Sequence, residues 1–130
     1  MNSDGSHVRR LTPWVLDADT FSVSPARSGP SRDLVVFKTY GHELPEGATS
    51  AVATVSAVHR SNPDSLKDIR FLTGTRSEPI QHFNPAWSPN GGSVAYVKLD
   101  ESGGDIWRMR WNGARKQRVS FSSFFEFRPA

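Results

Sequence analysis

At 130 residues, with 36% hydrophobic and 11% aromatic side chains, the chain has material for one modest core built largely on rings. The formal charge is +3, from 16 Lys and Arg against 13 Asp and Glu, and the absence of cysteine excludes disulfides, thiolate chemistry and Cys-based zinc sites. No run approaches the roughly 18 apolar residues of a membrane helix, and Gly 10 with Pro 9 points to many turns rather than to disorder.

In chain order, Asp4-Gly5 is a tight-turn pair before the strand-like run His7 to Thr12, the return half of a hairpin. Phe21-Ser22-Val23-Ser24-Pro25 leads through a loose turn, Ala26 to Arg32, into the continuous apolar run Leu34-Val35-Val36-Phe37. Continuity rather than alternation predicts a strand covered on both faces. Tyr40 to Thr49 reads as a loop. Ser50 to His59, mixing alanine with β-branched residues, reads as a strand, with a helix also allowed by its three-residue valine spacing. Ile69 to Thr73 is a short strand, followed by a loop from Gly74 to Glu78.

The stretch Asn84-Pro85-Ala86-Trp87-Ser88-Pro89-Asn90-Gly91-Gly92 organises the rest. Trp87 stands beside a turn written in Ser, Pro, Asn and Gly, and Val94 to Leu99 leaves that turn as a strand. Asp100 to Asp105 is an acidic, Gly-containing bend. Ile106 to Trp111 alternates apolar with basic residues, which predicts one dry and one wet face. Asn112-Gly113 makes a further hairpin turn and Gln117 to Phe121 returns from it.

Several of these phrases recur. Ser24-Pro25 precedes Ser88-Pro89 by 64 residues, Leu34–Phe37 mirrors Val94–Val97, Leu72 precedes Val119 by 47, and Pro85 precedes Pro129 by 44. Met1 to Thr12 aligns without a gap to Met109 to Ser120. Units of about 40–50 residues with four short strands have the size of propeller blades, and one such unit must stack on neighbours to bury its faces.

The run Pro85 to Tyr96 resembles the WD40-like repeat of TolB-type β-propellers, whose usual form is Pro-x-Trp-Ser-Pro-Asp-Gly, a short spacer, then Ile-Ala-Phe. Asp105 to Ser120 is similar to the remainder of that repeat, and Asp4-Gly5 with Arg10-Leu11-Thr12 carries its usual Asp-Gly and Arg-Leu-Thr elements. Asn90 replaces the usual Asp, and Val23 stands in the first copy where Trp is usual. The resemblance implies an all-β fold of antiparallel four-stranded blades. The end of a preceding blade falls at 1–12, an irregular first blade with an inserted loop at 20–73, a complete second blade at 83–121 and the start of a third at 124–130. A closed ring needs at least about four blades, so the chain is expected to be a fragment whose remaining blades come from a longer chain or, less readily, from oligomerisation.

The motif residues are Pro85, Trp87, Ser88, Pro89, Asn90, Gly91, Asn112, Gly113 and Pro129, all in structural roles. His7, His42, His59 and His82 lack metal-pair spacing and read as isolated surface or turn residues. Gly91-Gly92-Ser93-Val94-Ala95 lacks the final Gly of a nucleophile elbow and enters a strand. Asp100, Glu101 and Asp105 miss the spacing of a calcium loop. Trp14, Trp87, Trp107 and Trp111 could stack on sugars but suit core or inter-blade packing better. Arg108, Arg110, Arg115, Lys116 and Arg118 concentrate positive charge, which reads as a charged sheet edge, since no helical DNA reader or RNA-binding aromatic signature accompanies it. No catalytic residue, metal ligand or cofactor site is expected. The resemblance implies a non-catalytic, protein-binding scaffold, periplasmic or secreted, that neither enters a membrane nor binds nucleic acid. Its alternative is the substrate-gating propeller of a serine peptidase of the prolyl oligopeptidase or tricorn type, with the catalytic domain elsewhere.

Overall fold

The computed structural model describes residues 10–13, 17–40, 50–58, 62–63, 65–66, 68–73, 81–100 and 103–119. Eight strands run in chain order: β1 (Ala18–Val23), β2 (Leu34–Thr39), β3 (Ala51–Ser56), β4 (Arg70–Phe71), β5 (Gln81–Trp87), β6 (Ser93–Asp100), β7 (Gly103–Arg110) and β8 (Gln117–Arg118). They form two four-stranded sheets, each an antiparallel meander, β1-β2-β3-β4 and β5-β6-β7-β8. No helix occurs among the described residues. The fold is all-β.

Local sequence explains most of this. β2 and β3 are rich in Val, Phe and Thr, which fit a pleated, buried surface, and all six residues of β2 pair with β3. That pairing leaves Ala51–Ser56 extended and removes the helical alternative. The acidic bend is tighter than the composition suggests, because β6 continues to Asp100 and β7 begins at Gly103. Gly103, at φ +117, takes a backbone conformation closed to most other residues. The short strand expected over 69–73 narrows to Arg70–Phe71. The Asp4-Gly5 hairpin, Trp14, the loops over 41–49 and 74–78, and Phe124 to Ala130 lie outside the described residues.

The two sheets share a detailed plan. Each first strand carries a one-residue bulge, between Asp19 and Phe21 in β1 and between Phe83 and Ala86 in β5. In each bulge a non-glycine residue has positive φ, Thr20 at 46° and Asn84 at 50°. Each first turn closes on the same bond, Ser24 N–H to Leu34 O and Ser88 N–H to Ser93 O, both 2.9 Å. Val23 pairs with Val35 as Trp87 pairs with Val94. The register therefore matches Val35–Lys38 with Val94–Val97, one residue later than similarity of the apolar runs suggests. Valine and phenylalanine recur too freely in both strands for side-chain type alone to fix that step.

This register decides how the sheets meet. Val35 and Phe37, with Ala53 and Val55, form one face of the first sheet and pack with Ile69 and Leu11. The matching face of the second sheet, Trp87, Val94, Tyr96 and Met109, packs on Val36, Val52 and Leu72, the opposite face of the first. The front of one sheet lies on the back of the other. β5 is the strand of contact, lying against β1, β2 and β3, and the Trp87 indole Nε1–H donates to Ser22 O at 2.9 Å across the junction.

A second tie lies further along β5. Ser50 Oγ donates to His82 O and accepts from His82 N–H, each at 2.9 Å. His82 is thus buried at the junction, 6% exposed, and not the surface histidine its isolation in the sequence suggests. Replacing Ser50 by alanine strips a buried N–H of its partner. Ser50→Ala is expected to cost about 1–3 kcal/mol in chemical denaturation, and an unchanged midpoint would remove Ser50 from the junction's energetics.

Tyr96 lies at the centre of this junction, 1% exposed, and burial pushes its hydroxyl pKa well above the usual tyrosine range. The folded chain keeps that proton at pH values where the unfolded chain releases it. The resulting stability is full below the ordinary value of about 10 and is lost as pH rises above it. Tyr96→Phe is expected to flatten the alkaline limb of the stability curve. An unaltered limb would assign alkaline unfolding to other groups.

Candidate functional site

The Trp87 stretch folds as a hydrogen-bonded turn that ties the second sheet together. Gly91 N–H donates to Ser88 O at 2.9 Å. The Asn90 side-chain oxygen accepts from Ser88 Oγ at 2.8 Å and from Gly92 N–H at 2.9 Å, while Ser88 Oγ accepts from Ser93 N–H at 3.0 Å. Only the carboxamide oxygen of Asn90 is used in these bonds. Pro85 is buried in β5, Pro89 is exposed at the bend, and Gly91 supplies φ +73. The second turn is built alike: Gly113, at φ +89, donates to Arg110 O, and Asn112 Oδ1 accepts from Ala114 N–H at 3.1 Å. The two turns join through Trp111 N–H to Gly92 O, 3.0 Å. Pro129 lies outside the described residues.

The tryptophans described here serve packing. Trp87 is 9% exposed, and Trp107 and Trp111 are partly buried against the same cluster. Their outer surfaces are capped by cations, with Lys98 Nζ 4.5 Å from the Trp107 ring centroid and Arg70 5.8 Å from that of Trp111.

Polar chemistry at the junction is structural as well. Ser50 and His82 meet through a hydroxyl and a backbone, with His82 Nδ1 3.4 Å from Ser50 O, so the ring does not activate the hydroxyl. Asp105, 6% exposed, pairs with Arg118 at 3.0 Å, and its other carboxylate oxygen has no hydrogen-bond partner among the described residues. Nearby, burial and then the charge of Lys98 lower the pKa of Lys116. No group of three metal-ligating side chains occurs among the described residues.

Two concavities mark the back of the second sheet. The first, about 320 Å³, is apolar and includes Ala86, Trp87, Pro89, Ala95, Ile106 and Val119 in its lining. Ala95, Ile106 and Val119 occupy the positions that Val36, Val52 and Leu72 hold in the first sheet, where the second sheet covers them. Family models and curated proteins return no match to this chain. Its chemistry has to be read from the surface itself. The second concavity, about 230 Å³, is lined by Ser93, Arg108, Met109, Arg110, Arg115 and Gln117. The sequence shows these arginines as a charged stretch. That three of them share one hollow with Ser93 comes from the β6–β7 register, which sets Ser93 opposite Arg110, and from the turn after β7 that brings in Arg115.

Proposed function

We propose that the two sheets are successive blades of a β-propeller of the TolB type, and that the chain is part of a non-catalytic protein-interaction scaffold. The observation that carries this reading is the front-to-back stacking. A two-sheet sandwich pairs two inner faces and closes its core. Here equivalent faces point the same way, so a front of the first sheet and a back of the second face away from the junction instead of closing one core. On that front Val35, Phe37, Ala53 and Val55 are buried, with Leu11 and Ile69 packed on them, while Phe21 and Val23 at the β1 end are 71% and 58% exposed. On that back Val119 is 54% exposed. Stacking of this kind propagates until a ring closes or the array is capped. The matching bulges and turn bonds support the reading, as does the recurrence of Ser24-Pro25 as Ser88-Pro89 at the same place in the two sheets. The remaining blades come from the same longer chain, and a periplasmic or secreted location follows if the TolB resemblance holds.

The coding sequence on either side tests it. Further Pro-x-Trp-Ser-Pro-Asp-Gly units, without an attached hydrolase, are the expected result. A start codon at Met1 with a stop codon directly after Ala130 would defeat the fragment reading. An adjoining α/β-hydrolase domain with a Gly-x-Ser-x-Gly elbow would replace the scaffold by the substrate-gating propeller of a peptidase.

A further inference from the structure

We infer that Arg108, Arg110 and Arg115 form a receptor site for an acidic peptide segment of a protein partner, laid in extended form beside β8. This rests on the scaffold reading and names the chemistry of the partner.

The site begins with strand alternation. Trp107 and Met109 point to the buried front of the second sheet, which leaves Arg108 and Arg110 on its back. Arg115 joins them from the turn after Gly113, in a backbone conformation of φ +53. With the Ser93 hydroxyl and the Gln117 amide they line one hollow of about 230 Å³. No carboxylate among the described residues pairs with any of the three arginines, whereas Arg118 on the same strand pair has Asp105. Arg108 gives one bond to Gln117 Oε1 at 2.9 Å. Three arginines lining one hollow without a counter-charge can give charge-assisted bonds to an oxyanion placed there.

The hollow stays open when a sheet is stacked on that face. Its counterpart on the first sheet is lined by Leu34, Thr54, Val55, Ser56 and Arg70, the residues matching Ser93, Arg108, Met109, Arg110 and Gln117. With the second sheet in place that counterpart still holds about 290 Å³, and Trp111 forms one wall. The stacked sheets therefore part at their outer strands. Where the first hollow has the neutral side chains Thr54 and Ser56, the second has Arg108 and Arg110. The first hollow also includes Asp68 with Arg70, one carboxylate to one guanidinium, whereas the second has three arginines and no carboxylate among its lining residues.

Two features favour a peptide over nucleic acid. β8 is the edge strand of its sheet, and both its residues are exposed, so an extended segment can add main-chain hydrogen bonds there. An added strand points alternate side chains to one face, which delivers carboxylates two residues apart to the arginine hollow. Single-stranded nucleic acid is held by open aromatic platforms beside a basic track, and among the described residues no aromatic ring lines this hollow.

The test is fluorescence anisotropy of a fluorescein-labelled peptide of alternating glutamate and threonine, titrated with the full chain. Saturable binding is expected, with about tenfold loss for each of Arg110→Gln and Arg115→Gln. Arg110→Lys is expected to lose part of the affinity because the charge remains and the fork does not. Arg27→Gln, an exposed charge elsewhere, should leave binding unchanged, and a peptide with glutamine for glutamate should not bind. No binding to the native chain overturns the site, as does equal loss in Arg27→Gln. An arginine-dependent preference for oligothymidylate overturns the peptide assignment, and displacement by millimolar inorganic phosphate alone reduces it to a free-anion site. None of these failures alters the stacking of the sheets, which stability measurements at Trp87 report separately.

Discussion

Trp87→Ala is expected to lower the folding stability of the chain by about 3–5 kcal/mol, the range for removing a buried tryptophan ring from a core. Trp87 is 9% exposed and packs in one cluster with Val36, Val52 and Leu72 of the first sheet and Val94, Tyr96 and Met109 of its own. Its loss opens a cavity between two sheets, where neither can collapse without shifting the other. It also leaves Ser22 O without its indole donor. Trp87→Phe separates the two effects, since it keeps most of the apolar area and removes only the bond, at a cost of about 0.5–1.5 kcal/mol beyond the change in area. Urea unfolding followed by far-UV circular dichroism reads both variants. A loss under about 0.5 kcal/mol for Trp87→Ala would mean that the ring carries no core and belongs to an exposed surface.

That junction also shows where sequence reasoning runs out. The turn at Ser88–Gly92 could be read from composition because Asn and Gly have conformational and hydrogen-bonding properties that few other residues share. The strand character of Leu34–Phe37 and Val94–Leu99 followed from β-branched and aromatic content. The bulges did not. Thr20 and Asn84 sit at positive φ in the middle of strands, and threonine in particular gives no warning of that. Each bulge shifts the strand after it by one residue, and a one-residue shift exchanges the two faces of a sheet. The step that matches Val35 with Val94 was hidden too, because the turns from Val23 to Val35 and from Trp87 to Val94 differ in length, and with it the front-to-back stacking. The burial of His82 was hidden for a related reason. Its bonds run to Ser50, 32 residues away, through backbone atoms that carry no residue-specific signal. The arginine hollow was half legible. Arg108 and Arg110 share a face by simple alternation, but Arg115 reaches them only through the geometry of the Asn112-Gly113 turn.

Gly91→Ala is the second substitution expected to cost heavily, about 2–5 kcal/mol, and for two separable reasons. The first is local. At φ +73 an L side chain meets its own backbone, which costs roughly 1–2 kcal/mol. The second is the neighbouring sheet. A Cβ on Gly91 would stand 2.7 Å from Ala26 Cβ, 3.0 Å from Ser24 Oγ and 3.1 Å from Ser31 Oγ. All three belong to the long turn between β1 and β2, so the first turn of one sheet is wedged against the first turn of the other. Overpacking of this kind adds about 1–3 kcal/mol. Gly113→Ala supplies the comparison: its φ of +89 carries the same local strain, but the new Cβ would come no closer than 3.4 Å to Leu72. Gly113→Ala should therefore cost about 1–2 kcal/mol and Gly91→Ala clearly more. The two contributions at Gly91 part in a double variant. Ala26→Gly removes the closest atom without touching the backbone angle of Gly91, so Ala26→Gly with Gly91→Ala should recover about 1 kcal/mol relative to the sum of the single changes. Strict additivity would mean that the two turns do not touch. The sheets would then be held by the Trp87 cluster and the Ser50–His82 bonds alone.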